Sequence, residues 1–188
     1  GCRVVLLSSC HVYDAPTRLP VDEEHPTRGE GPYAKSKMAA EAEAFSRRDR
    51  DWVLVRPFNL TGPGQSPEFA AADWAHQWVG GAREIQTGDL DLRRDYMDVR
   101  DACEGLRILA ERAPRREIFN LCTGQAVALR EVFELAAPGA RPIQDKSRLR
   151  AHDVPELRGC AKKAAALGWT PKIPLSTSLS DLREGLSA

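Results

Sequence analysis

The sequence predicts an α/β fold built around a parallel sheet, and three observations carry the prediction. Short apolar runs of strand type occur at residues 3–8, 53–55 and 118–122. Longer segments between and after them repeat their apolar residues at helical spacing. The two patterns alternate along the chain without an internal repeat, low-complexity tract or charge block, which is how strands joined by helical crossovers read.

Residues 3–8 open the chain as a buried strand with no loop, cap or helix before it, so the expectation is a domain entered part-way. A polar stretch with Pro16, Pro20, Pro26 and Pro32 follows and reads as a loop. Residues 33–48 read as a helix with Ala34, Met38, Ala42 and Phe45 along its inner face. After the strand at 53–55 and a Gly/Pro turn at 61–65, residues 69–79 form a further helix. Asp98 is placed to cap a helix over 99–112, with Cys103, Leu106 and Ala110 inward. Leu129, Val132, Phe133 and Ala136 mark another helix, and Leu175, Leu179, Leu182 and Leu186 a last one. Between these two, Trp169 is a core residue.

Composition narrows the function. With 188 residues, 42% of them hydrophobic and 29% charged, the chain supports the core of one or two domains. Basic and acidic residues balance at 27 each, so no net field favours nucleic acid or an anionic membrane. Neither partner is expected. The cysteines, Cys2, Cys10, Cys103, Cys122 and Cys160, are odd in number and contain no Cys-x-x-Cys pair, so they read as reduced thiols with no metal site. No apolar run is long enough to span a membrane and none resembles a signal peptide, which places the expected location in the cytoplasm.

The strongest chemical feature is Tyr33-Ala34-Lys35-Ser36-Lys37 at a helix start, following Ser8-Ser9 at a strand end. Residues at i and i+4 share a helix face, so the Tyr33 hydroxyl and the Lys37 ammonium can enter one pocket. A free phenol, ionising near 10, is a poor acid or base at neutral pH, and a neighbouring cation favours its anionic form. Lys37 is thereby placed to tune Tyr33 as an acid/base. Taken alone, the pair also describes a solvated lysine beside a half-buried tyrosine, and Ser8-Ser9 a turn. His11 has an ionisation range suited to a general base, but reads here as a pocket-wall or structural residue.

In order and spacing, Ser8-Ser9-Cys10-His11-Val12-Tyr13, Asp22-Glu23-Glu24 and Pro32-Tyr33-Ala34-Lys35-Ser36-Lys37 resemble the active-site strand, loop and helix of extended short-chain dehydrogenases/reductases, the NAD-dependent epimerase/dehydratase family. Three further stretches are similar to elements of GDP-sugar enzymes in that family. They are Val55-Arg56-Pro57-Phe58-Asn59-Leu60-Thr61-Gly62-Pro63-Gly64-Gln65, the segment from Gly88 through Arg94-Asp95-Tyr96 to Val99, and Asp145 through Arg150-Ala151-His152-Asp153 to Pro155. The ending Gly168-Trp169-Thr170-Pro171 plus a final helix also matches the family's, so the likeness runs over almost the whole chain.

The resemblance implies the C-terminal part of a Rossmann-type parallel sheet plus a small α/β substrate-binding domain. Residues 1–58 and 97–122 would belong to the dinucleotide-binding domain, and 59–96 and 123–188 to the nucleotide-sugar domain. It also implies roles. Ser9, Tyr33 and Lys37 are catalytic. Ser8, Tyr33, Lys37, Pro57 and Phe58 bind the cofactor, NADP or NAD. Asn59, Arg94, Arg150 and Asp153 bind the substrate. Asp95 is open to a second reading, as the ion-pair partner of Arg94. Family dehydratases carry a carboxylate pair where this chain has Cys10 and His11, which points away from dehydration and towards reduction of a GDP-4-keto-6-deoxy-hexose, or epimerisation. A homodimer is implied for the complete enzyme. The glycine-rich first strand-to-helix turn that holds a dinucleotide pyrophosphate has no counterpart in the sequence, so a non-catalytic nucleotide-sugar binding fragment is the alternative, and the 188 residues alone are expected not to bind NADP or NAD.

Overall fold

The computed structural model describes residues 2–13, 18–149 and 153–187, and it is an α/β structure with parallel sheets. Its main sheet has three parallel strands, with β2 (Trp52–Pro57) between β1 (Val4–Leu7) and β7 (Glu117–Leu121). Leu6 pairs with Leu54, and Leu54 with Ile118. The central strand is buried along Trp52 to Arg56, whereas edge strand β1 leaves Val4 50% and Leu7 46% exposed.

Alternation along β2 sorts its side chains between two faces. Val53 and Val55 enter a core with Phe119 and Leu121 of β7, Ile108 and Leu109 of α3 (Val99–Arg112), Ala164 of α5 (Lys162–Ala166) and Trp169. Arg56 points to the other face and meets α1 (Gly31–Ser46) at Glu41. A second core forms where α2 (Ala70–Val79), α4 (Leu129–Ala136) and α6 (Leu175–Ser187) enclose Trp74, Phe133, Leu179 and Leu182, against Ile85 of β4 (Glu84–Thr87). Strand β4 pairs with β9 (Arg141–Gln144).

Three connections bring the two cores' elements to the site. Strand β3 (Asn59–Thr61) pairs in parallel with β6 (Tyr96–Asp98), and β5 (Arg93–Arg94) lies between β10 (Glu156–Leu157) and β8 (Val127–Ala128). The β5–β8 pairing is antiparallel, a local exception to the expected parallel arrangement. Asp98 caps α3 as predicted, its carboxylate accepting the Arg100 N–H at 2.8 Å.

Two predicted helix faces are corrected. In α1 the buried side chains are Ala34 and Glu41, while Ala42 is exposed and Phe45 is 42% exposed. Glu41 lies on the same face as Ala34 and Met38 and is buried by its bonds to Arg56, while Phe45, further along that face, packs on Trp52 with ring centres 5.6 Å apart and stays partly exposed. In α3, Cys103 and Ala110 face solvent and Asp101, Ala102, Gly105, Ile108 and Leu109 are buried. Gly105 faces inward because Trp169 and Leu121 approach so closely that a Cβ there would lie 2.9 Å from the indole nitrogen. Trp169 is buried as predicted and donates its indole N–H to Asp101 O at 3.0 Å.

Candidate active site

The end of β1 sets the position of the serines. Ser8 continues the strand by donating its N–H to Val55 O at 2.8 Å, and it is 4% exposed. Its hydroxyl has no hydrogen-bond partner among the described residues. Ser9 then caps a single 3-10 turn over Cys10–Val12, with Oγ accepting the His11 N–H at 3.2 Å. Gly29 holds this turn from the other side, donating to Val12 O at 3.0 Å. Only glycine fits there, since an added Cβ would come within 2.1 Å of His11 O.

Helix α1 brings its functional residues to the same strand end. Lys37 Nζ donates to Leu7 O at 3.0 Å and lies 5.7 Å from the centre of the Tyr33 ring. Tyr33 is 56% exposed and packs edge-on to His11, with ring centres 5.8 Å apart. His11 Nδ1 in turn sits 3.0 Å from Ser9 Oγ. Ser9, Tyr33 and Lys37 are thus linked through Leu7 and His11. The expectation that His11 is merely wall or scaffold is therefore incomplete, because it touches both proposed catalytic groups.

Beneath these groups lies a buried polar network that sequence reading missed. Arg56 donates to both oxygens of Glu41, at 2.9 and 2.6 Å, with both side chains 3% exposed. It also donates to Tyr13 Oη and Glu23 O, each at 3.2 Å. Tyr13 Oη donates to Asn120 Oδ1 at 2.6 Å, and burial raises the Tyr13 phenol well above its ordinary range. Glu23 accepts the Asn120 N–H at 2.8 Å. The network fastens α1, the loop before it and strands β2 and β7 together. Its signal was present as Tyr33, Lys37 and Glu41 at successive i+4 positions of one helix.

Pro57 and Phe58 end β2. Phe58 is core, packed with Cys10, Tyr13, Val21, Cys122 and Leu157, and Pro57 is half-buried. Burial pushes the Cys10 thiol up to about 12, so it stays neutral and is a packing residue rather than a nucleophile. Asn59 donates both N and Nδ2 to Asp95 O, at 3.1 and 3.0 Å, so one amide proton is already engaged within the protein.

Asp95 itself is wholly buried and does not pair with Arg94. Its carboxylate accepts four bonds, from Thr123 N at 2.8 Å, Thr123 Oγ1 at 2.6 Å, Gly124 N at 2.9 Å and Gly159 N at 3.2 Å. Burial still holds its pKa above the ordinary carboxylate value despite these donors. Arg94 instead donates to Asp153 Oδ1 at 3.2 Å and to Val154 O at 2.9 Å, so two residues assigned to substrate come together as one pair. Arg150 lies outside the described residues.

The nicotinamide end of a dinucleotide fits this geometry. The orphaned Ser8 hydroxyl is a buried polar atom in want of a partner, and Lys37, half-buried, reaches the neighbouring Leu7 O with exposed Tyr33 next to it. At the two turns that lead from a strand straight into a helix, nothing suits a dinucleotide pyrophosphate. Strand β6 enters α3 through Asp98 and β8 enters α4 through Ala128, and neither turn carries the glycines that such a phosphate needs. Among the described residues no cluster of His, Cys, Asp and Glu could hold a metal ion, and no helix is long and apolar enough to cross a membrane.

An α/β chain with parallel strands, a Tyr-x-x-x-Lys helix and a serine at the adjoining strand end defines a class of nicotinamide-linked enzymes. The chain belongs to the NAD dependent epimerase/dehydratase family, whose model matches residues 1–122. It is similar to GDP-6-deoxy-D-mannose reductase of Pseudomonas aeruginosa, with 34% identity over 92% of this chain and 62% of the relative. Among solved structures, RMD from Pseudomonas aeruginosa complexed with NADPH superposes with a TM-score of 0.89 at 30% identity, covering 98% of this chain and 66% of that one. A putative epimerase from Burkholderia cenocepacia gives a TM-score of 0.91 at 33% identity, covering 98% and 63%. The chain thus spans somewhat less than two thirds of the length of the curated relative it matches.

Proposed function

We propose that this chain carries the catalytic and substrate-binding part of an NAD(P)-dependent nucleotide-sugar reductase, acting on a GDP-4-keto-6-deoxy-hexose. The observation that carries the proposal is the convergence of Ser9, Tyr33 and Lys37 at the end of β1, through Leu7 O and the His11 ring. The 34% identity to a GDP-deoxymannose reductase supports the substrate class and reaction, and the NADPH bound in a structural neighbour supports the cofactor. The nicotinamide supplies hydride when bound. The rest is the protein's work. Ser9 donates a hydrogen bond to the carbonyl oxygen of the sugar, and Tyr33 gives that oxygen its proton. Lys37 keeps two ammonium protons beyond the one on Leu7 O, available to the nicotinamide ribose and to the face of Tyr33. Ser8, Pro57 and Phe58 line the nicotinamide end.

On the substrate side, Asn59, Arg94, Arg150 and Asp153 are assigned to the nucleotide diphosphate and its ribose. The Arg94 guanidinium is held by Asp153 and Val154 O and keeps unspent N–H donors for phosphate. Residues 1–58 and 97–122 are assigned to the cofactor unit and 59–96 and 123–188 to the sugar unit, with Ala164 and Trp169 counted with the first, whose core they share. A cytoplasmic location accompanies this reading.

Substitution of Tyr33 by Phe in the complete enzyme tests it, assayed with NADPH and the 4-keto sugar. Turnover should fall by at least about a hundredfold, the low end for a positioned acid/base, with little change in substrate affinity. Near-normal turnover removes Tyr33 from the mechanism. The second reading is a nucleotide-sugar binding module. Binding of GDP without turnover by the wild-type protein identifies it.

A further inference from the structure

The contacts of His11 go beyond the roles assigned to Ser9 and Tyr33. A serine hydroxyl has one proton to donate and two lone pairs to accept with. Ser9 Oγ already accepts one bond, from the His11 backbone N–H at 3.2 Å, as the cap of its turn. The second neighbour is His11 Nδ1 at 3.0 Å, and a histidine nitrogen there can act in either sense. If Nδ1 lacks a proton, Ser9 must donate to it. The Ser9 proton is then spent inside the protein, and Oγ turns only a lone pair towards a ligand. If Nδ1 carries a proton, it donates to Ser9, both lone pairs are used, and the Ser9 O–H is directed outward as a donor.

We propose that His11 is a positioning residue whose protonation at Nδ1 sets the direction of the Ser9 hydroxyl, making Ser9 a donor to a substrate carbonyl when Nδ1 is protonated and withdrawing that donor when it is not. The inference rests on the reading of Ser9 as the group that binds the sugar carbonyl. The local structure is built for such coupling. The 3-10 turn buries Cys10 and Val12 and turns His11 outward to solvent, where it can exchange its proton. Gly29 donates to Val12 O and lies close against His11 O, which holds the turn that carries Ser9 and His11 in place. The ring of Tyr33 packs edge-on against the imidazole and limits its rotation.

Several titratable groups among the described residues face His11. On its own turn they are Ser9 and Cys10, whose sulfur is 3.8 Å from Nδ1 and whose thiol, pushed up to about 12, is neutral throughout the working range. From α1 they are Tyr33 and, behind it, Lys37. In the segment packed on His11 O, exposed Arg28 and Glu30 flank Gly29. Where the neutral ring carries its proton on Nε2, loss of the cation's second proton empties Nδ1, and reduction, which needs a donor to the carbonyl oxygen, then follows the imidazole's titration. No proton is consumed at His11 in a turnover. Tyr33 gives its proton to the product and regains one from solvent.

Two measurements test the inference. The first needs no turnover: the His11 imidazole is titrated by NMR in the wild-type chain and in Ser9→Ala. Loss of the acceptor for Nδ1–H should lower the apparent pKa of His11 by roughly half a unit to one unit. An unmoved titration overturns the inference whatever the enzyme does. The second is the pH profile of kcat/KM for keto-sugar reduction by the complete enzyme, wild type and His11→Gln, whose amide N–H can remain a donor. The wild-type value should fall at least about tenfold as pH rises through the His11 titration, and the variant should lose that limb. A variant that keeps the wild-type limb overturns the inference. A shifted NMR titration in a wild-type protein that reduces no keto-sugar supports the coupling of His11 to Ser9 and overturns the functional reading instead.

Discussion

Replacing Glu41 by Ala should be among the most damaging single changes in this chain, although Glu41 touches no ligand. The substitution deletes two charge-assisted hydrogen bonds, 2.9 and 2.6 Å long, and leaves the guanidinium of Arg56 at a position 3% exposed. Bonds of this type are worth about 1.5–3 kcal/mol each, and stranding one member of a buried ion pair costs about 3–5 kcal/mol. Arg56 keeps two weaker acceptors, Tyr13 Oη and Glu23 O, so the loss should fall towards the lower end of that range. In urea unfolding with a slope of roughly 2 kcal/mol per molar, the midpoint should drop by about 1.5–2 M. The double variant Glu41→Leu with Arg56→Met should be more stable than Glu41→Ala, because no charge is left unpaired. A single-variant midpoint within about 0.5 M of wild type, or a double variant no better than the single, would refute the argument.

Arg94→Ala should weaken GDP binding by about 2–3 kcal/mol, or roughly 30- to 150-fold by calorimetry, and an unchanged affinity would free Arg94 from the diphosphate. Asp98→Ala should cost about 0.5–2 kcal/mol as a lost helix cap. Burial pulls the Asp98 carboxyl up, but hydrogen bonds from Arg100 outweigh it and hold the pKa below its ordinary value. Its stabilisation is therefore complete above the unfolded pKa near about 3.9 and is lost as pH falls through the lower folded value, so the stability gap between wild type and variant should narrow on acidification below that range. Gly159→Ala should lose about 1–3 kcal/mol in chemical denaturation by overpacking, since a Cβ there would meet Phe58 at 2.5 Å and the Cys122 sulfur at 2.6 Å.

The parts of the fold legible in the sequence are those decided by local pattern. Long helices such as α3 and α6, the Asp98 cap and the buried Trp169 follow from periodicity, capping chemistry and size. Strands β5, β8 and β10 were not legible. Each has two residues, and each exists because a distant segment supplies its partner. The helix faces show the same limit. An apolar stripe in α1 marked Phe45 as inward, yet Arg56 on another strand buries Glu41. In α3 the close approach of Trp169 and Leu121 selects Gly105, which has no hydrophobic signal of its own. At the site, the motifs marked Ser9, Tyr33 and Lys37, but the hydrogen bonds of Asn59 and the pairing of Arg94 with Asp153 rather than Asp95 depend on segments far apart in the chain.

Asp95 has a consequence for how the substrate side of the site responds to a ligand. One carboxylate receives the amides of Thr123, Gly124 and Gly159, while the same residue's carbonyl receives Asn59. Four points of contact from three separate stretches of chain therefore share a single anchor. None of these stretches can shift without loosening the grip on the others. On the proposed function, a nucleotide that pulls on Asn59 is felt at Gly159, and the loop after β7 does not adapt by itself. Adjustment to sugars of different shape then comes, on the same proposal, from residues outside this knot or from all of its members moving together.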